Sequence, residues 1–211
     1  MTTWTDRDLQ IVEALTTKVR LLTRDQIARG WWRPSERSQR HAADRLGVLT
    51  KAGLLDGYLV NAHPLFRVET PVFRWAPGET DPEAEAVAER LQGRWGEAAH
   101  PTMVYAASRL AANLYGSFAG RLPDLTHRDH DLLLGEVYLL YLRDDPEAAA
   151  RWVGEDTRPK AGYRVKDPDA FVLDGQGEIA RVVESGGRYG RVQVEAFHEH
   201  CAEHDLPYEL W

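Results

Sequence analysis

One cysteine, Cys201, is all the thiol the chain carries. That excludes an internal disulfide and any site built on paired cysteines, and it agrees with a reducing compartment. Long apolar runs are also lacking, since none approaches the roughly 18 residues that a membrane span requires. The opening residues MTTWTDRD carry acids where a secretory leader has a basic region followed by an apolar stretch. The expectation is a soluble, cytoplasmic protein with no membrane partner. There is no phosphate-binding glycine loop and no Gly-x-Ser-x-Gly elbow. Gly186-Gly187-Arg188-Tyr189-Gly190 is glycine-rich but has the spacing of neither.

What is present suffices for packed cores: 211 residues, 43% of them hydrophobic, enough for one large domain or two small ones. The net charge of −7 argues against indiscriminate polyanion binding, but the charge is unevenly spread. Residues 1–76 hold 12 of the 26 Lys and Arg and 8 of the 33 Asp and Glu, a balance of +4. The remainder holds 14 against 25, a balance of −11. A basic head precedes an acidic body.

The head reads as three helices and a ribbon. Thr5-Asp6 opens a helix with Leu9, Ile11, Val12 and Leu15 on its apolar side, ending near Thr17. Thr23 with Gln26 is a capping-box pair opening a short helix that Gly30 stops. Ser35 is placed to cap a third helix, with Ala42, Leu46 and Leu49 inward and an end at Gly53. Leu54–Val60 and Pro71–Trp75 read as two strands. Together these predict a winged helix-turn-helix over residues 1–76. In such domains the third helix enters the major groove of double-stranded DNA. Arg37, Ser38, Arg40, His41 and Arg45 lie between its core positions, with Arg33 and Lys51 at its ends, and arginine suits both phosphate and the acceptor pair of guanine. Trp31 and Trp32 are read as core.

Ala76-Pro77-Gly78 and Pro82 mark the end of this domain. Glu83–Gly93 and Thr102–Tyr115 read as helices with apolar faces, serving either as connectors or as a homodimer surface, so residues 77–125 form a linking region. The stretch from Thr126 to Asp131, THRDHD, has metal-ligand residue types but no zinc spacing, and a helix cap is its simplest role. His200 and His204 are one turn apart without a third ligand, and read as surface residues.

Residues 166–187, KDPDAFVLDGQGEIARVVESGG, carry the sharpest signal. Two β-branched and apolar runs flank Asp174-Gly175-Gln176-Gly177, which is hairpin-turn chemistry. Pairing across that turn brings Asp169 and Glu184 to one edge, where two carboxylates can hold a divalent cation such as Mg2+. The bland alternative is an ordinary Asp-Pro-Asp turn and a solvated strand-end glutamate.

Pro168-Asp169 followed by Glu184-x-x, preceded by the helix Asp131–Arg143, resembles the PD-(D/E)XK nuclease superfamily. With the N-terminal half included, most of the chain is similar to the replication-relaxation family of plasmid and mobile-element proteins. The resemblance implies an α+β chain in which the winged helix is followed, over 126–211, by an α/β restriction-endonuclease-like domain. Its order is helix, three strands, helix, strand, the last being Pro207–Trp211. It also implies catalytic and metal roles for Asp169 and Glu184, with Glu136 as an additional acid. The superfamily's lysine position is Gly186 here, which implies impaired cleavage. Lys166 and Arg188 flank the hairpin as substitutes, Lys166 the better, while alternation turns Arg181 to the other face. Three functions remain in play: a DNA-binding protein with an impaired nuclease-like domain, an active Mg2+-dependent nuclease, and a protein-interaction adaptor.

Overall fold

The computed structural model describes residues 3–35, 37–65, 67–122, 124, 127–157 and 168–211. Lys166, Glu36 and Thr126 lie outside the described residues. The protein is α+β, with helices around two separate sheets.

Helix α1 (Asp6–Glu13) starts at a capping box between Thr5 and Asp8, buries Ile11 and Val12, and runs on into a wider turn over Ala14–Lys18. Strand β1 (Leu22–Thr23) leads into α2 (Arg24–Trp31), capped by Thr23 with Gln26. Helix α3 (Ser38–Lys51) begins two residues later than a cap at Ser35 predicts, with Arg37 at the cap position. Ser38 Oγ donates to the carbonyl of Arg33 at 2.5 Å and shares a 2.9 Å bond with Ser35 Oγ, so both serines shape the entry to the helix.

Strand β2 (Leu55–Ala62) follows as expected, but its partner is not the expected one. β2 pairs antiparallel along its whole length with β4 (His100–Ala107), which in turn pairs with β1. Strand β3 (Phe73–Trp75), expected as the other half of the ribbon, instead pairs with β8 (Tyr208–Leu210) in the second sheet. Residues 102–107, read as helical, are strand because Val104 and Ala106 alternate inward within a run containing Thr102 and Tyr105. The helix there, α5 (Arg109–Tyr115), starts only at the Ser108 cap.

The second sheet runs β3, β8, β7 (Ile179–Glu184), β6 (Ala170–Leu173) and β5 (Trp152–Gly154). Helix α4 (Ala84–Gln92) packs on α8 (Arg191–Glu203), beside this sheet. Helix α6 (Arg128–Asp144), the short α7 (Pro146–Ala150), β5 (Trp152–Gly154), β6 (Ala170–Leu173) and β7 (Ile179–Glu184) make up the rest. β5, β6 and β7 are an antiparallel meander, α8 crosses over, and β8 lies parallel to β7. At the hairpin tip Asp174 Oδ1 accepts from the amides of Gln176 and Glu178, and Gly177 takes a positive φ of 86°.

One hydrophobic core joins the two halves, holding Ile11 and Leu15 from the first helical stretch, Leu46 and Leu49 from α3, Val137 from α6, Trp152 and Trp211. Trp31 and Trp32 pack against it. Residues 77–125 are therefore no linker: they supply the middle strand of one sheet and a helix covering the other. Trp152 donates from Nε1 to the carbonyl of Lys18, and a Cβ at Gly154 would come within 2.3 Å of that same oxygen. The meander and the turn after α1 meet backbone to backbone, which requires glycine there.

Arg45, expected to face outward, is turned in. Its guanidinium pairs with Asp8, with Nε to Oδ1 at 3.0 Å, and ties α3 to α1. Burial alone would raise the Asp8 carboxyl, but Arg45 and the amide and hydroxyl of Thr5 outweigh it and hold it below the usual carboxylate range. A carboxyl lowered by folding contributes stability above its unfolded value of about 3.9, lost as pH falls through the folded value. Arg45→Ala is expected to cost about 1–3 kcal/mol near neutrality by leaving a buried acceptor unpaired. The deficit should shrink as acid protonates Asp8, which denaturant melts at pH 7 and pH 3 would read. An equal deficit at both would remove the pair from the account.

Candidate functional site

The hairpin brings Asp169 and Glu184 together as the sequence suggested. Ala170 stands opposite Val183, so the two acids are adjacent across the strand ends. The Asp169 amide donates to Glu184 Oε2 at 3.3 Å, and the Ser185 amide donates to Asp169 Oδ2 at 2.7 Å. The third member is a residue that sequence pattern alone did not single out. α6 starts at Arg128 and not at Asp131, so His130 sits in its first turn, and its Nε2 lies 3.0 Å from Asp169 Oδ2. Donor atoms of His130, Asp169 and Glu184 all fall within 4.8 Å of one another. The signal for His130 was the THRDHD stretch itself, legible only once the helix start is placed three residues earlier.

Asp131 stands behind His130, with Oδ1 3.3 Å from Nδ1. A carboxylate at that nitrogen fixes the ring so that Nε2 faces the acids. Burial by itself would lower the His130 pKa, but Asp169 and Asp131 overcome it and hold it up to about 11, so the ring carries a proton in this arrangement. Tyr189 donates its hydroxyl to Glu184 Oε1. Burial first, then the charge of Glu184, pushes this phenol far up, so it stays a donor.

The donor set fits a divalent cation: one imidazole nitrogen and two carboxylates, nine-tenths or more of each acid buried. Asp131 Oδ2 is buried with no hydrogen-bond partner among the described residues, which leaves negative charge at the site in excess of what the imidazolium offsets. His130 Nε2, Asp169 and Glu184 would hold the ion, displacing the proton of His130.

Glu136, expected as the additional acid, is elsewhere. It is buried on α6 and forms a forked pair with Arg29 of α2, at 2.5 and 3.4 Å. Six residues beyond His130, it faces the N-terminal half. Arg181 is likewise committed, to Glu209 at 2.9 Å and to the Tyr141 hydroxyl at 3.0 Å. Gly186, where the resemblance would have a lysine, is buried with φ of 59°. A Cβ there would meet Leu91, Leu210 and the carbonyl of Trp211 at 2.9, 3.0 and 3.1 Å. The position is closed to any side chain by packing as well as by conformation.

On α3, Arg40, His41 and Lys51 are exposed, as are Arg37 at its N-terminal boundary and Arg33 just before it. Ser38 and Arg45 are not part of that face, being held by Arg33 and Asp8 respectively. A cleft of about 640 Å3 lies beside α3, lined among others by Gln39, Arg24, Arg29, His63 and Thr102. Among the described residues no helix is long and apolar enough to cross a membrane. No family model, no curated protein and no solved structure matches the chain.

Proposed function

We propose that this is a double-stranded DNA-binding protein of a plasmid or mobile-element system. In this reading α1, α2, α3 and the β2–β4 ribbon act as a winged helix-turn-helix, and the α6-to-β8 half is a nuclease-like domain of the PD-(D/E)XK kind whose cleavage is impaired. The observation that carries it is the outward row Arg33, Arg37, Arg40, His41 and Lys51 on and beside the third helix of an otherwise acidic chain. The order α6, β5, β6, β7, α8, β8 and the acid pair at adjacent strand ends support the second half. His130, Asp169 and Glu184 would hold and orient a divalent cation such as Mg2+ or Mn2+, which would supply charge to polarise a phosphate and lower the pKa of water, while Gly186 leaves no cationic side chain at the position where the resemblance would have a lysine.

Salt titration of duplex binding tests the reading. Affinity built on phosphate contacts falls linearly on a log–log plot as salt rises. Absence of binding at low salt, or affinity indifferent to salt, would favour a protein-interaction adaptor.

In the same reading the protein is a homodimer. Leu9 on α1 and Leu110, Leu114 and Phe118 on or just after α5 are 48%, 51%, 67% and 62% exposed, more apolar surface than a monomer needs to show. The two helices touch through the Tyr115 hydroxyl and the carbonyl of Leu9. Sedimentation at micromolar concentration is expected to give a dimer that Leu114→Glu converts to monomer; a monomeric parent protein would end this part of the reading.

A further inference from the structure

We propose that His63, Trp95 and Arg188 form a landing site for a single DNA strand beside the His130–Asp169–Glu184 cluster. The inference rests on the DNA-binding reading above and adds a second, separate surface to it. Its basis is a junction where three distant segments meet. Trp95 donates from Nε1 to the carbonyl of Gly187 at 3.0 Å, which sets the indole against the glycine turn that follows Glu184. Arg188 lies 5.6 Å from the indole centroid. His63 meets the same indole edge-on, with centroids 6.0 Å apart. The acid cluster is next door, since a Cβ on Gly187 would lie 3.7 Å from Cδ2 of His130.

His63 is pinned by Asp129, the residue before His130. Its backbone amide donates to Asp129 Oδ1 at 2.8 Å, and its Nδ1 is 2.6 Å from Oδ2. Asp129 thus orients the imidazole, whose Nε2 is 3.4 Å from an Arg188 nitrogen. The junction opens on a hollow of about 110 Å3 walled by His63, Pro64, Leu65, Arg94, Trp95 and one acid, Glu97. His63, Pro64 and Leu65 also line the larger cleft, which includes Gln39 of α3. Asp25 and Glu136 in that cleft both pair with Arg29, and Arg24 lines it as well, so its two acids stand against two arginines. A route therefore leads from α3 through the cleft to an aromatic and cationic platform, and on to the acids.

The chemistry of that platform fits an unpaired strand better than duplex. An indole and an imidazole offer stacking to any base whose face is free, which duplex bases lack, and the exposed Arg188 offers a phosphate contact.

The test uses the full chain with two fluorescent DNAs: a blunt duplex, and the same duplex with a single-stranded overhang of about ten nucleotides, within the span such surfaces cover. The overhang is expected to tighten binding about tenfold or more. Trp95→Ala and Arg188→Ala should each erase that advantage, with blunt-duplex affinity, carried by α3, as the internal reference. Trp95→Phe, which keeps a stacking face and loses the Nε1 donor, should retain most of it. If Trp95→Ala fails to fold, the exposed Arg188 carries the test alone. Equal binding of the two DNAs by the parent protein, or an overhang advantage that survives Arg188→Ala, overturns the inference while leaving the α3 reading intact. Loss of the advantage in Trp95→Phe as well as Trp95→Ala would also overturn it, by making the indole a structural donor only. A parent protein that binds neither DNA removes both readings.

Discussion

Replacing Arg37 and Arg40 together by alanine is expected to weaken duplex binding by about 2–4 kcal/mol, some 30- to 1000-fold. Both side chains are exposed at the N-terminal end of α3, where they point to solvent and are available to a polyanion. Their removal should cost little stability, within about 0.5 kcal/mol, since both side chains are exposed and Arg37, although it is the N-cap residue of α3, makes no side-chain capping bond. The slope of log affinity against log salt should fall by roughly one for each phosphate that is no longer neutralised. Arg45→Ala is the contrasting control: it destabilises the fold through Asp8 and should leave the affinity of the folded protein nearly unchanged. Unaltered affinity in a folded Arg37→Ala/Arg40→Ala protein would show that α3 does not face DNA.

Placing a lysine at position 186, where the PD-(D/E)XK resemblance would have one, is expected to do harm. Gly186→Lys should cost about 2–4 kcal/mol, combining left-handed backbone strain with overpacking against Leu91, Leu210 and the Trp211 carbonyl. It should bring no gain in metal-dependent cleavage. The parent protein is expected to cut DNA slowly or not at all with Mg2+ or Mn2+, yet to bind the ion, and Asp169→Ala or Glu184→Ala should lower ion affinity about tenfold or more. Calorimetric titration with Mn2+ and a plasmid-nicking assay decide between outcomes. Robust turnover abolished by either acid substitution would establish an active nuclease and refute the reading of impairment. Lys166→Ala belongs in the same assay, since loss of turnover there would identify the substitute cation.

Local chemistry was largely legible. The helix opened at Thr5-Asp6, the capping box at Thr23, the hairpin around Asp174-Gly175-Gln176-Gly177 and the terminal strand all lie close to where residue types put them. Strand partners were not, because pairing is a long-range choice. Leu55–Ala62 and Phe73–Trp75 are near in sequence and look like a ribbon, yet each finds a better buried place across from His100–Ala107 and Tyr208–Leu210. The cluster was half legible for the same reason. Asp169 and Glu184 are joined by a local turn, whereas His130 reaches them through the packing of α6, and Glu136 is taken by Arg29, an arginine far away in sequence. A fragment ending at residue 76 would hold β1 and β2 without the strand that lies between them.

That exchange of strands also acts as a mechanical lock. The chain leaves the first sheet after β2, places β3 in the second, returns with β4 to the first, and goes back again. Neither half can swing away without opening the core that Ile11, Leu15 and Leu46 share with Val137 and Trp152, so heat or denaturant should unfold them in one cooperative transition, and a protease nick near Gly78 should release no stable piece. The separation between the exposed row on α3 and the acid cluster is consequently fixed. On any duplex held by that row, the cluster would meet the backbone at one set offset, as a ruler does, and footprints would share a constant spacing whatever the sequence bound.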